Sequence, residues 1–165
     1  MRQINTTATV TRRIDALLGE YGESHLNVTN KLIHWLCVPA ITWCVFAGFY
    51  LLPYPDALGA QFGLNWMWLA IAASLAYYLM LSAKLAVGLV VVSVACAASI
   101  HWFEATQTTD LGWFAAIVFV LAWVGQFIGH KIEGKKPSFL KDIQFLLIGP
   151  AWLLSFVYRK LGLRY

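Results

Sequence analysis

Four stretches of the chain, residues 32–52, 65–82, 85–103 and 112–130, are apolar almost throughout. Each approaches the ~20 residues that cross a hydrocarbon core as helix. The first is closed by the turn Pro53-Tyr54-Pro55-Asp56. A fifth apolar stretch, 139–158, is interrupted by Lys141, Asp142, Gln144 and the pair Gly149-Pro150. Proline removes a backbone donor and disrupts a helix interior, so the expectation here is a re-entrant or interfacial hairpin broken near Gly149-Pro150, with a kinked fifth helix as the alternative. Non-helical backbone at membrane depth needs protein or a watery cavity beside it, so such a hairpin would suit the roof of a site. The pattern predicts an all-α fold, a polytopic membrane helical bundle. It has four transmembrane helices plus a C-terminal re-entrant or fifth helix, in a single domain after a polar segment 1–31.

Composition agrees with the pattern. Of 165 residues, 60% are hydrophobic and 12% charged, against roughly 45–50% and 25% in soluble domains. The net charge of +4 does not mark a nucleic-acid partner, because the basic residues flank the spans instead of forming a run; Arg12, Arg13, Lys31, Lys131, Lys135, Lys136 and Lys141 are placed this way. Positive loops stay cytoplasmic, and loops 53–61 and 104–110 contain no Lys or Arg. The N-terminal segment and the segment after residue 130 are therefore expected on the cytoplasmic side. A full fifth crossing would put Arg159, Lys160 and Arg164 on the other side, which favours the hairpin. Cys37, Cys44 and Cys96 sit in apolar runs without a C-x-x-C pair and read as small hydrophobes. Trp35, Trp66, Trp68, Trp102 and Trp113 lie near span ends, as interfacial indoles do. The first thirty residues contain no apolar signal core. The expected location is integral to a membrane, a bacterial inner membrane in preference to an endoplasmic reticulum.

Histidines carry the candidate chemistry. His25, His34 and His130 fall on the cytoplasmic side of this topology, His34 in the first turn of the first span and His130 in the last turn of the fourth. His101 lies sixteen residues beyond Leu85, about 24 Å along a helix, toward the other face, and reads as structural. His25 and His34 are nine apart and would face opposite ways on one helix, so a break is required; Asn27 or Asn30 would supply it as an N-cap. Trp123, Gln126, His130, Glu133 and Pro137 recur at helical spacing and share a face. Three imidazoles with a nearby carboxylate suit Fe(II) or Zn(II). Two other readings stay open: a haem with His34 and His130 as axial ligands, and a non-enzymatic lipid-binding membrane protein whose histidines are interfacial polar groups.

The segment Tyr21-x-x-x-His25-x-Asn27-x-x-Asn30-x-x-x-His34-x-x-x-x-Pro39, followed by Trp123-x-x-Gln126-Phe127-x-Gly129-His130-x-x-Glu133-x-x-x-Pro137 and by Gly149-Pro150, resembles the membrane 2-hydroxy fatty acid dioxygenases. That family is named for the metabolism of phytosphingosine to odd-numbered fatty acids. The resemblance runs from about Tyr21 to the C-terminus and is specific in the two histidine boxes. It implies an Fe(II)-dependent enzyme that shortens a long-chain 2-hydroxy fatty acid by one carbon, with O2 as co-substrate, the α-oxidation step of phytosphingosine degradation. It also implies that His25, His34 and His130 hold the iron, with Asn27, Asn30, Gln126 and Glu133 at the neighbouring polar positions. Glu133 would be a fourth ligand or an acceptor orienting an imidazole N–H. Lys131, Lys135 or Lys136 would draw in the substrate carboxylate. After Pro150, where family members often carry an acidic residue, this chain reads Trp152-Leu-Leu-Ser-Phe-Val-Tyr158.

Overall fold

The structure, a computed structural model, describes residues 12–55, 59, 63–134 and 139–165, with 139–143 as backbone only. Lys135, Lys136 and Pro137 lie outside the described residues, as does the side chain of Lys141. Among the described residues six helices follow one another: α1 (Arg13–Gly22), α2 (Val28–Leu51), α3 (Trp66–Leu81), α4 (Ala83–Thr106), α5 (Leu111–Glu133) and α6 (Phe139–Lys160). Among the described residues there is no strand.

Side-chain caps set where four of these helices begin. Asn27 accepts from the N–H groups of Thr29 and Asn30, Asn65 from Trp68, Ser82 from Leu85 and Asp110 from Trp113, each satisfying donors that a first helical turn leaves open. Helix α5 ends on Gly134, whose φ of 72° is the left-handed geometry that a residue without Cβ adopts freely.

Helices α2, α4 and α5 are long and apolar enough to cross a membrane. Their 24, 24 and 23 residues correspond to about 35 Å at the α-helical rise, more than the ~30 Å hydrocarbon core. At 16 residues α3 is shorter, about 24 Å. Leu79, Met80, Val87, Val91, Ile117 and Leu121 are exposed on the outside of the bundle, an unsupportable surface in water and the expected one in lipid. The protein is membrane-associated.

Helix α1 is an addition to the elements read from the sequence. It is amphipathic, burying Ile14, Leu18 and Tyr21 at the four- and three-residue steps of one helical face. A search for long apolar runs passes over it. Its buried face packs on α6.

The C-terminal segment departs from the hairpin expected of it. Helix α6 is continuous through Gly149 and Pro150. Close packing flanks the proline. Pro150 leaves the Leu146 carbonyl without its helical donor; to the adjacent carbonyl, that of Leu147, the Tyr78 hydroxyl donates at 2.6 Å. Gly149 packs so closely on Tyr21 and Val38 that an added Cβ would lie 3.2 Å from each.

Packing is organised around α2, which runs along α5 and also touches α3, α4 and α6. One apolar core joins Cys44, Ala47, Met67, Ile71, Ile100 and Leu111 at one end of the bundle. A second, at the opposite end, joins α1 and α6 to Val38, Tyr78, Leu85 and Leu89. Contacts of α6 with α2 fall at Trp35 and Val38, with α3 at Tyr78, and with α4 at Lys84 and Gly88. Helices α1 and α6 therefore roof that end. The Tyr158 hydroxyl donates to the Lys84 carbonyl at 2.7 Å, and Arg12 donates to the carbonyl of Tyr165. The described Lys and Arg residues gather there too: Arg12, Arg13, Lys31, Lys84, Lys131, Arg159, Lys160 and Arg164. A continuous α6 thus returns its terminal cations to the same end without a hairpin.

Candidate metal centre

Three histidines meet beneath this roof. His25 belongs to the connector between α1 and α2, and its N–H donates to the Gly22 carbonyl at 3.0 Å. His34 lies on α2, in the second turn, because the helix begins at Val28 rather than at residue 32. His130 lies in the last turn of α5. The connector resolves the nine-residue spacing: α1 stops at Gly22 and Asn27 restarts the helix as N-cap, so His25 turns back toward His34.

The ring centroids lie 4.2 Å apart for His25 and His34, and 5.2 Å apart for His130 with each of the others. One ligand nitrogen from each histidine lies within 4.8 Å of the other two. Tautomers follow from the partners. His25 Nδ1 is 2.6 Å from the Tyr21 carbonyl and His34 Nδ1 is 2.9 Å from the Asn30 carbonyl. A carbonyl only accepts, so each Nδ1 carries the proton and each Nε2 presents a lone pair. Metal-bound histidines are oriented in this way by a backbone carbonyl on the far nitrogen.

Burial sharpens the point. His25 is 3% exposed and His34 1%, and the His25 Nε2 has no hydrogen-bond partner. Leaving a buried acceptor unsatisfied costs about 1–3 kcal/mol; a cation bound there would remove that cost. Burial lowers the His25 pKa to about 4, which keeps the imidazole neutral and able to ligate at pH 7. Three converging imidazoles fit a divalent first-row transition metal.

The other residues singled out in the sequence are distributed around this centre. Glu133 closes α5, and its carboxylate accepts from the N–H groups of Leu26 at 2.8 Å and Asn27 at 2.9 Å and from Asn30 Nδ2 at 3.0 Å. Asn30, fully buried, also donates from Nδ2 to the Ser24 carbonyl at 3.2 Å. Gln126 is buried one turn before His130 on α5. His101 is exposed at the opposite end of the bundle, with its ring 5.1 Å from Tyr50 and 6.2 Å from Trp68. Lys131 is exposed beside His130 in the chain.

Residues to which the sequence assigns no role at the site surround the three histidines. Trp152 of α6 covers His25, with its ring 5.2 Å away, while Tyr21 stacks on the same imidazole at 4.3 Å and 11°. Gly125 and Gly129 let α5 approach α2: a Cβ on Gly125 would lie 2.7 Å from Cys37 Sγ, and one on Gly129 would collide with Asn30 Oδ1. The small-x-x-x-small spacing is the available sequence signal, since it marks close helix contacts in membranes.

A family model described as 2-hydroxy-palmitic acid dioxygenase Mpo1-like matches residues 11–161. The 2-hydroxy-palmitic acid dioxygenase MPO1 of Saccharomyces cerevisiae is 28% identical over 148 residues, which cover 88% of this chain and 79% of that protein. No solved structure matches the chain.

Proposed function

The chain belongs to the 2-hydroxy-palmitic acid dioxygenase Mpo1-like family, and from that premise we propose that it is an Fe(II)-dependent dioxygenase that shortens a long-chain 2-hydroxy fatty acid by one carbon. The observation that carries the reading is the convergence of His25, His34 and His130, with ligand nitrogens within 4.8 Å of one another and the Nε2 of His25 buried without a partner. These three residues would hold the iron. Bound Fe(II) supplies redox chemistry toward O2 and Lewis acidity toward the carboxylate and 2-hydroxyl oxygens.

The balance closes with one O2 per turnover. The bond between C1 and C2 breaks, C2 becomes the carboxyl carbon of the shortened acid, and C1 leaves as CO2 with one molecule of water. The protein's own contributions are positional. The Tyr21 and Asn30 carbonyls hold protons at Nδ1 of His25 and His34, keeping both Nε2 lone pairs available. Tyr21 and Trp152 cover His25 on two sides and restrict water. An amphiphilic 2-hydroxy acid would lay its tail along the apolar helices and bring its carboxylate to the cationic end, which we assign to the cytoplasmic side by the positive-inside rule. Lys131 is placed to attract it there.

A bis-histidine haem is less well supported. His25 sits against both His34 and His130, where the macrocycle would have to lie. The test is metal analysis of detergent-purified protein, anaerobic Fe(II) reconstitution and an assay of 2-hydroxy fatty acid shortening under O2. Stoichiometric iron with a product one carbon shorter is expected; metal and activity undiminished in His25→Ala, His34→Ala and His130→Ala alike overturn the reading.

A further inference from the structure

We propose that Glu133 is a positioning residue, a latch that fixes His25 against His34 and His130 without ligating the metal itself. The inference rests on the metal-centre reading above. Of the three histidines, only His25 lies outside a regular helix. What holds its connector is therefore decisive for the geometry of the centre.

The connector between α1 and α2 exposes two backbone donors, the N–H groups of Leu26 and Asn27, just ahead of the helix that Asn27 caps. Both are taken by Glu133, Leu26 at 2.8 Å to Oε1 and Asn27 at 2.9 Å to Oε2. Asn30 Nδ2 donates to the same Oε2 at 3.0 Å, and to the Ser24 carbonyl on the other side of His25 at 3.2 Å. Both ends of the short segment that carries His25 are thus tied, directly or through one amide, to a single carboxylate. That carboxylate stands three residues after His130 on α5. A carboxylate is acceptor-only and offers two oxygens to three donors, and its charge faces the N-terminus of α2, where a helix dipole favours an anion. Glutamine would replace one oxygen by an NH2 group and confront donors with a donor. With its oxygens committed to these N–H groups, Glu133 acts on the centre through His25.

The test uses full-length protein in detergent, with Co(II) alone as a spectroscopic probe. For Glu133→Ala and Glu133→Gln we expect Co(II) affinity lower by about 10- to 100-fold, the range typical of outer residues that orient ligands, and a visible spectrum altered toward that of His25→Ala. Adding Glu133→Ala to His25→Ala is expected to cost nothing further. In metal-free protein, amide exchange at Leu26 and Asn27 is expected to accelerate in Glu133→Gln, which reads the latch without any metal. Unchanged Co(II) affinity, unchanged exchange at these amides, or a further loss of affinity in the double variant overturns the latch and leaves the three-histidine site standing. Failure of the unmodified protein to bind Co(II) overturns the metal centre, and with it any role for the latch in metal binding.

Discussion

Asn30 and Gly129 face each other across the seam between α2 and α5, so close that the amide oxygen of Asn30 occupies the place a Cβ would take on the glycine. Each residue neighbours the metal-ligand candidates: Asn30 lies one turn before His34, and Gly129 immediately precedes His130. The separation of the two helices, and so of the two imidazoles, is set at this contact.

Gly129→Ala should therefore push α2 and α5 apart. Overpacking of this kind costs about 1–3 kcal/mol, and metal affinity should fall with it. Gly19→Ala is the control, since a Cβ there meets nothing within 4 Å; alanine should stabilise α1 by up to about 1 kcal/mol. Thermal unfolding and metal titration of the two variants give the comparison, and a Gly129→Ala protein as stable as its parent removes the argument.

Substitution of each histidine separates the centre from the far end. His25→Ala, His34→Ala and His130→Ala should each lose most bound metal and fatty acid shortening, as should chelator treatment of the unmodified protein. His101→Ala should keep both, because its ring lies with Tyr50 and Trp68 at the opposite end. Elemental analysis together with the activity assay decides; loss of metal in His101→Ala alone would falsify this assignment of roles.

Acid should destabilise the metal-free protein. His25 has its pKa lowered by burial from 6.5 to about 4, so between these values the unfolded chain takes up a proton that the folded chain excludes. Stability from this group is complete above pH 6.5 and is lost progressively as the pH falls toward 4. In chelator-treated protein the unfolding midpoint should decline across that window, and His25→Gln should flatten part of the decline. A midpoint indifferent to pH there contradicts a buried neutral imidazole.

Trp152 is 4% exposed and packs on His25, Tyr21 and Phe156. Trp152→Ala should cost about 3–5 kcal/mol, as large-to-small changes of aromatic core residues do, and should admit water to His25. Trp152→Phe should recover part of both losses. Chemical unfolding and the rate of metal exchange measure the two effects.

Run length alone places α2 to α5 in the sequence, with the largest difference at the start of α2, which begins at Val28 where residue 32 is expected. The extra turn comes from polar residues at a helix end, which a search for apolar residues discards. Arithmetic along a helix also separates His101 from the other histidines, because the α-helical rise is constant. Three features are not legible this way. Helix α1 is apolar on only one stripe. The tie between α3 and α6 beside Pro150 comes from Tyr78, sixty-nine residues from Leu147, a partner no local rule supplies. Spacing puts Glu133 on the face of His130 but is silent on which donors meet it, and two of those donors are backbone groups of a connector 106 and 107 residues earlier.

The gathering of the histidines at one end of the bundle has a consequence for supply. Seventeen residues of α2, about 26 Å of helix, separate His34 from Leu51 at the other end. The proposed reaction therefore draws on a single leaflet. A 2-hydroxy acid dissolved there reaches the site by lateral diffusion, whereas one in the opposite leaflet must first flip its carboxylate across the hydrocarbon, so turnover in asymmetrically loaded vesicles is paced by transbilayer movement.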